Sequence, residues 1–313
     1  MDREKFLQLS SLATASIGLP NFLSYLSSNF TLEKKLFFDI SLAQWSLHRS
    51  LFNGKINHLE FPATAKNEFG ITAVEYVNQF FVDKAQDKSY LDKMNTRCDD
   101  LGVDQVLIMI DGEGNLAVTD EQTRRESVEN HYKWVEAAEY LGCHSIRVNT
   151  YGDGTAQSQK AAAVDSLGQL AEFAQDYGIN VIVENHGGYS SNGQWLVDVM
   201  QQVDMDNCGI LPDFGNFCIE QAKDGSCAEA YDRYQGVKEM MPFAKGVSAK
   251  SYVFNDKGQE TTIDFEKMLQ IVQNAGYTGH IGIEYEGDEL SEFEGIKATK
   301  NLLMEVGKQL ASG

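Results

Sequence analysis

Residues 179–188 read INVIVENHGG. Ile179, Val181, Ile182 and Val183 are apolar and β-branched, which suits a covered, pleated strand. The run ends on Glu184, Asn185 and His186, followed by two glycines. A carboxylate and an imidazole straight after an apolar run are costly to bury without partners. The strand therefore either delivers Glu184 to a site or passes into a solvated loop. Two further stretches decide between these. Residues 208–216, CGILPDFGN, close an apolar run with Asp213, and residues 280–287, HIGIEYEG, close one with Glu284. In a parallel barrel the strand C-termini converge on one mouth. Carboxylates gathered there repel unless a cation or a shared proton neutralises them, and a divalent metal is the simplest neutraliser.

The same alternation runs through the chain from residue 36. Strand-like runs at 37–45, 71–77, 103–110, 144–150, 179–184, 209–214, 245–250 and 280–286 alternate with helical patterns at 56–69, 86–101, 120–141, 156–177, 194–203, 227–241, 264–275 and 291–310. Four of those helices close on glycine, at 102, 142, 178 and 276, as left-handed C-caps do. Regular βα alternation calls for a parallel sheet. Eight units in this length predict an α/β fold, a (β/α)8 TIM barrel in a single domain over residues 36–313. An open doubly wound sheet is the competing arrangement. It would more often carry a glycine-rich phosphate loop after its first strand. Here Ser46, Leu47, His48 and Arg49 follow instead.

Residues 1–35 stand apart. Arg3 and Lys5 precede a moderately apolar, small-residue stretch from Leu7 to Leu19, the layout of an export signal. REKFLQ resembles a twin-arginine signal with Glu4 in place of the second arginine. The expectation is a periplasmic or otherwise exported protein, with an amphipathic N-terminal helix in the cytoplasm as the alternative. The apolar run is too short and too polar to span a membrane.

The chain has 313 residues and a formal net charge of -20, with a pI of 4.6. That balance argues against nucleic acid or an anionic membrane as partner, because both need basic patches. A small carbohydrate is compatible with it, and a homo-oligomer is left open. The five cysteines are odd in number and form no C-x-x-C pair, so neither a disulfide framework nor a structural zinc site is expected. Cys143 and Cys208 read as small buried groups.

Side chains alternate between the faces of a strand. Glu184 and His186 then share a face, as do Glu284 and Glu286, Arg147, Asn149 and Tyr151, and Ser248 and Lys250. With IRVNT, VIVENHGG, GILPDFGNF, KGVSAKSY and GHIGIEYEG in this order, the chain resembles the sugar phosphate isomerase/epimerase group, the xylose isomerase-like barrels. The resemblance implies a metal-dependent isomerase or epimerase acting on a ketose or keto-glycoside by proton abstraction next to a carbonyl. A lyase or dehydratase using the same site, or a non-catalytic sugar-binding barrel, are its alternatives. An endonuclease IV-like nuclease is disfavoured, since it needs several strand-end histidines.

In that group a Glu, an Asp, a His and a Glu from strands 5 to 8 hold one divalent ion. Glu184, Asp213 and Glu284 match, while Ser248 stands where the histidine would. Three carboxylates without an imidazole favour Mn²⁺ or Mg²⁺ over Zn²⁺. His186 could supply the fourth ligand, or touch substrate, or cap its glycine turn. The carboxylates could also be neutralised by Lys250 without a metal. The resemblance makes Glu184 and Glu284 the catalytic pair. Lys250, Arg147, Asn149, His186, Trp45 and His48 are expected to bind substrate, and Asn149 and Asn185 to orient carboxylates. Glu75 either lines the pocket or sits in a buried ion pair.

Overall fold

The computed structural model describes residues 35–311. The export-signal reading of residues 1–35 lies, apart from Lys35, outside the described residues.

Each strand is a short β-rich run bounded by polar turns. In chain order come β1 (Asp39–Ala43), α1 (His48–Phe52), α2 (Phe61–Phe69), β2 (Ala73–Val77), α3 (Lys88–Leu101), β3 (Asp104–Met109), α4 (Glu121–Tyr140), β4 (Ser145–Val148), α5 (Ala156–Gln175), β5 (Asn180–Glu184), α6 (Gly193–Val203) and β6 (Cys208–Leu211). A hairpin of β7 (Cys218–Gln221) and β8 (Cys227–Ala230) follows, then α7 (Arg233–Met240), β9 (Val247–Ser251), α8 (Phe265–Asn274), β10 (His280–Tyr285) and α9 (Glu292–Leu310). The helices start where side chains can take up free amide hydrogens. Asp87, Asp120, Thr155, Asn192, Asp232, Asp264 and Ser291 each accept such a bond at a helix N-terminus. A cap of this kind contributes about 1 kcal/mol. Gly102, Gly142, Gly178 and Gly276 all have positive φ, as the sequence predicts for helix ends.

Eight strands form one parallel sheet in the order β6, β5, β4, β3, β2, β1, β10, β9. The sheet curls until its edges meet. Isolated bridges join Ile210 to Ala244 and Asp213 to Ser248. Lys245 N–H donates to the Ile210 carbonyl at 3.0 Å, and Ser248 N–H to that of Pro212 at 2.9 Å. The fold is therefore the expected (β/α)8 barrel, with the seam between β6 and β9 held by bridges instead of a full ladder.

Alternation then sorts the side chains. Val181, Val183, Val247, Ala249, Ile281 and Ile283 face the helices in the outer core. Ala43, Val77, Leu107, Met109, Ile182 and Leu211 fill the barrel interior. Ile182 and Leu211 sit two residues before Glu184 and Asp213, so the inward face turns from apolar to ionisable at the C-terminal end.

Two expectations are corrected. Residues 227–241 do not form one helix: Cys227–Ala230 pair with β7, and the helix begins at Arg233. Ala and Glu favour helix locally, but strand pairing overrides so weak a preference. That pairing also places Cys218 beside Cys227, which form a disulfide with Cα atoms 5.7 Å apart. The odd cysteine count concealed it, because Cys98, Cys143 and Cys208 stay free and buried.

Two helical glycines separate packing from propensity. A Cβ on Gly295 in α9 would lie 2.2–2.4 Å from the ring of Tyr285, which is fully buried, whereas one on Gly168 in α5 would meet nothing within 4 Å. Alanine gains about 1 kcal/mol in a helix over glycine, while forcing atoms into a packed core costs about 1–3 kcal/mol. Chemical denaturation should show Gly168→Ala stabilised and Gly295→Ala destabilised. Equal gains in both would contradict the packing of β10 on α9.

Candidate active site

Glu184, Asp213 and Glu284 are buried at the ends of β5, β6 and β10. Each offers one oxygen within 4.8 Å of the others. The convergence expected from sequence is therefore present. Asp213 is fixed in part by Asn185, which accepts the Asp213 N–H at 2.7 Å and donates to the Asp213 and Asn216 carbonyls at 3.1 and 3.0 Å. Asn185 thus positions backbone and makes no bond to a carboxylate. Asp213 Oδ1 accepts the amides of Gly215 and Asn216, both at 2.8 Å.

Ser248 sits between two acids. Its Oγ is 2.6 Å from Asp213 Oδ2 and 2.9 Å from Glu284 Oε2. A hydroxyl has one proton to donate. It can satisfy both carboxylates only if one of them carries a proton that it gives to Oγ. Burial, reinforced by Glu184 and Glu284, pushes the Asp213 carboxyl up to about 7. Burial also acts to raise Glu284, but Lys250, Arg147 and the Ser248 hydroxyl together hold it below the usual carboxylate range. The proton therefore belongs on Asp213, and Glu284 is the ionised partner.

Lys250 reaches Glu284 Oε1 at 3.1 Å and Glu286 Oε2 at 3.3 Å. Burial works against its charge, yet the surrounding carboxylates raise its pKa well above normal. Arg147 plays the same part on the other side. Its Nε lies 2.9 Å from Glu184 Oε2, and its guanidinium donates to Asp111 Oδ1 at 2.9 Å. The Nε contact has ion-pair distance without hydrogen-bond alignment, so Glu184 Oε2 has no hydrogen-bond partner. Its Oε1 accepts from Asn216 at 3.0 Å. Burial moves Glu184 to about 7 despite Arg147.

The remaining expected residues divide. Asn149 donates to Asp111 at 2.7 Å and so orients a carboxylate, as anticipated. Trp45 and His48 stack with ring centroids 4.8 Å apart, and Phe52 and Phe80 extend this wall. The Trp45 indole donates to Glu286. His186 lies outside the carboxylate group: its Nδ1 meets the Tyr151 hydroxyl, which also donates to the His186 carbonyl at 2.7 Å. The structure thus gives no fourth metal ligand at 186. Glu75 is buried inside the barrel, where Ser41 donates to it at 2.5 Å, and burial raises it to about 7. It forms no ion pair among the described residues, and Gly282 leaves room for it: a Cβ there would lie 2.6 Å from both its oxygens.

Asp111, Asn216 and Glu286 were not expected as site residues. Asp111 carried a signal, because it closes the VDQVLIMI run as the other acids close theirs. Asn216 and Glu286 lie inside the quoted motifs, but their partners Glu184, Trp45 and Lys250 come from segments distant in sequence.

A family model described as xylose isomerase-like TIM barrel matches residues 63–305. Among solved structures, the chain is similar to a D-tagatose 3-epimerase-like protein, with 19% identity, a TM-score of 0.65, and coverage of 87% of this chain and 99% of that one. It is similar to the 3-keto-D-glucoside 4-epimerase of E. coli, with 14% identity, a TM-score of 0.62, and coverage of 87% and 100%. A xylose isomerase-like TIM barrel protein from Mycobacterium smegmatis in complex with magnesium shares 15% identity, with a TM-score of 0.63 and coverage of 87% and 97%. At these identities the likeness shows the fold alone. No curated protein matches the sequence.

The acids give a stability profile. Glu184 and Asp213 titrate near 7 in the fold, against 4.5 and 3.8 without it. Between those values these two groups bind more protons in the fold than in the unfolded chain, so their contribution to stability grows as pH falls through that window and is lost above 7, while His58, His131, His144 and His186, whose pKa values burial lowers, act in the opposite sense. In chelator-treated protein Glu184→Gln and Asp213→Asn, which have no charge to gain, should therefore melt higher relative to wild type at about pH 8 than at about pH 5.5. Mn²⁺, by replacing the protons, should raise the melting temperature more at the higher pH. Variants that keep the same offset from wild type at both pH values, together with no Mn²⁺ shift, would remove the charge-crowding account.

Proposed function

The chain belongs to the xylose isomerase-like TIM barrel family, and on that premise we propose that it is a metal-dependent isomerase or epimerase of carbohydrates. Its substrate is a ketose or keto-glycoside, and the reaction is proton abstraction next to a carbonyl. The observation that carries this reading is the buried meeting of Glu184, Asp213 and Glu284 at the barrel mouth, flanked by Arg147 and Lys250.

The residues fit a hard divalent ion, Mn²⁺ or Mg²⁺ ahead of Zn²⁺. Glu184, Asp213 and Glu284 would hold it. Their donors are all oxygen, Glu184 Oε2 has no hydrogen-bond partner, and a serine hydroxyl stands in the place of an imidazole. When bound, such an ion polarises the sugar's carbonyl and adjacent hydroxyl oxygens, which lowers the barrier to proton loss.

The chain's own residues supply the acid–base steps. Lys250 keeps Glu284 ionised, so Glu284 can take the proton. Glu184, across the group from Glu284, is the carboxylate that returns the proton from the other side. Arg147 fixes the Glu184 carboxylate from one side. Trp45 and His48 offer a stacked face for a sugar ring. Return of the proton to the opposite face of the same carbon epimerises, and return to the neighbouring carbon isomerises.

Solvent deuterium exchange tests this without a guess at the product. Incubated in D₂O with a panel of ketoses and 3-keto-glycosides, the wild-type protein should introduce deuterium beside the carbonyl of at least one. Glu184→Gln should lose about 10²–10⁴-fold in that rate. Absence of exchange into the whole panel by metal-loaded protein would point to a binding barrel instead.

We propose in addition that residues 1–35 direct export. The Cys218–Cys227 disulfide supports this, since such bonds persist in oxidising compartments. A shortened N-terminus in a periplasmic fraction is the expected result, and intact Met1 in cytosol would reject it.

A further inference from the structure

The mouth extends beyond the carboxylates. A cavity of about 450 Å³ lies between the loops after β4 and β5 and the β7–β8 hairpin. This is within the range of small-molecule sites. Its walls include Thr150, Tyr151, Tyr189, Ile219, Glu220 and Glu229.

Three features of its wall bear on what it could hold. Thr150 is 4% exposed and its hydroxyl has no hydrogen-bond partner among the described residues. A buried hydroxyl left unpaired is unfavourable unless something else bonds it. Glu220 and Glu229 stand directly opposite each other across the hairpin. Like charges so placed destabilise a strand pair, yet the Cys218–Cys227 disulfide ties these strands together. Tyr151 and Tyr189 add aromatic surface, and Tyr151 is 38% exposed. Paired carboxylates that accept hydroxyls, an unpaired hydroxyl and aromatic faces are together the chemistry that recognises a polyhydroxylated ring.

The cavity adjoins the reaction centre. Tyr151 lines it and bonds His186, two residues after Glu184. Gly187 and Gly188, both with positive φ, also line it and add no side chain to its wall.

We propose that this cleft is a subsite for a second sugar ring, so that the substrate is a glycoside with its reacting ring at the carboxylates and its other ring against the hairpin. This rests on the carbohydrate reading above. The hairpin inserted after β6 is then a specificity element, and the disulfide holds its two acids in register.

Calorimetry with the full chain tests it, using cellobiose and maltose against glucose. At least one disaccharide should bind about ten-fold tighter than glucose, which is about 1.4 kcal/mol. Thr150→Val, and separately Glu220→Gln with Glu229→Gln, should bring its Kd to that of glucose. Thr150→Val should also melt no lower than wild type, because it removes an unpaired buried hydroxyl. Equal binding of disaccharide and glucose, or a preference that survives both sets of substitutions, overturns the subsite. If the wild type exchanges deuterium into a free ketose yet shows no disaccharide preference, the subsite falls and the isomerase reading stands. If it neither exchanges into any sugar nor binds one, both fall.

Discussion

Like charge confined in a small, dry space governs this barrel. Six carboxylates, those of Glu75, Asp111, Glu184, Asp213, Glu284 and Glu286, line the interior or its mouth, against the two cations Arg147 and Lys250. Full ionisation would leave four negative charges uncompensated where water screens poorly. The molecule answers by keeping some acids protonated. Glu75, Glu184 and Asp213 are raised to about 7, while Glu284 and Asp111, each gripped by a cation, are lowered. Any cation that entered would displace protons, so metal affinity and acidity are two readings of one imbalance.

The seam of the barrel turns that imbalance into geometry. Asp213 and Ser248 form one of the bridges that close β6 onto β9. The closure of the fold and the pairing of acid with hydroxyl are therefore the same contact. A histidine in place of Ser248 would bring its own basic nitrogen to this point. Serine brings one proton between two carboxylate oxygens, which links the charge of Asp213 to that of Glu284.

Much of this was legible in the chain itself. A strand two residues in period, apolar until its last position and then acidic, can put that acid only at an inward-facing end, and Glu184, Asp213 and Glu284 all lie there. Glycines after the helical runs fixed where those runs stop. The β7–β8 hairpin was not legible, since CAEA has helix-forming composition and its pairing with CIEQ is a tertiary event. His186 shared the parity of Glu184 but lies past the end of β5, where alternation no longer dictates direction, and it turned to Tyr151. Contacts such as Trp45 with Glu286, 241 residues apart, carry no local signature at all.

That last contact has an optical consequence. The Trp45 indole donates to Glu286, Glu286 meets Lys250, and Lys250 meets Glu284. Of the three tryptophans, Trp134 and Trp195 are buried away among the helices, and Trp45 alone stands at the rim. Its emission is thereby wired to the charge at the centre of the barrel. A change of charge at the carboxylates would thus reach one of the chain's three native fluorophores through two acid–base contacts, with no label attached.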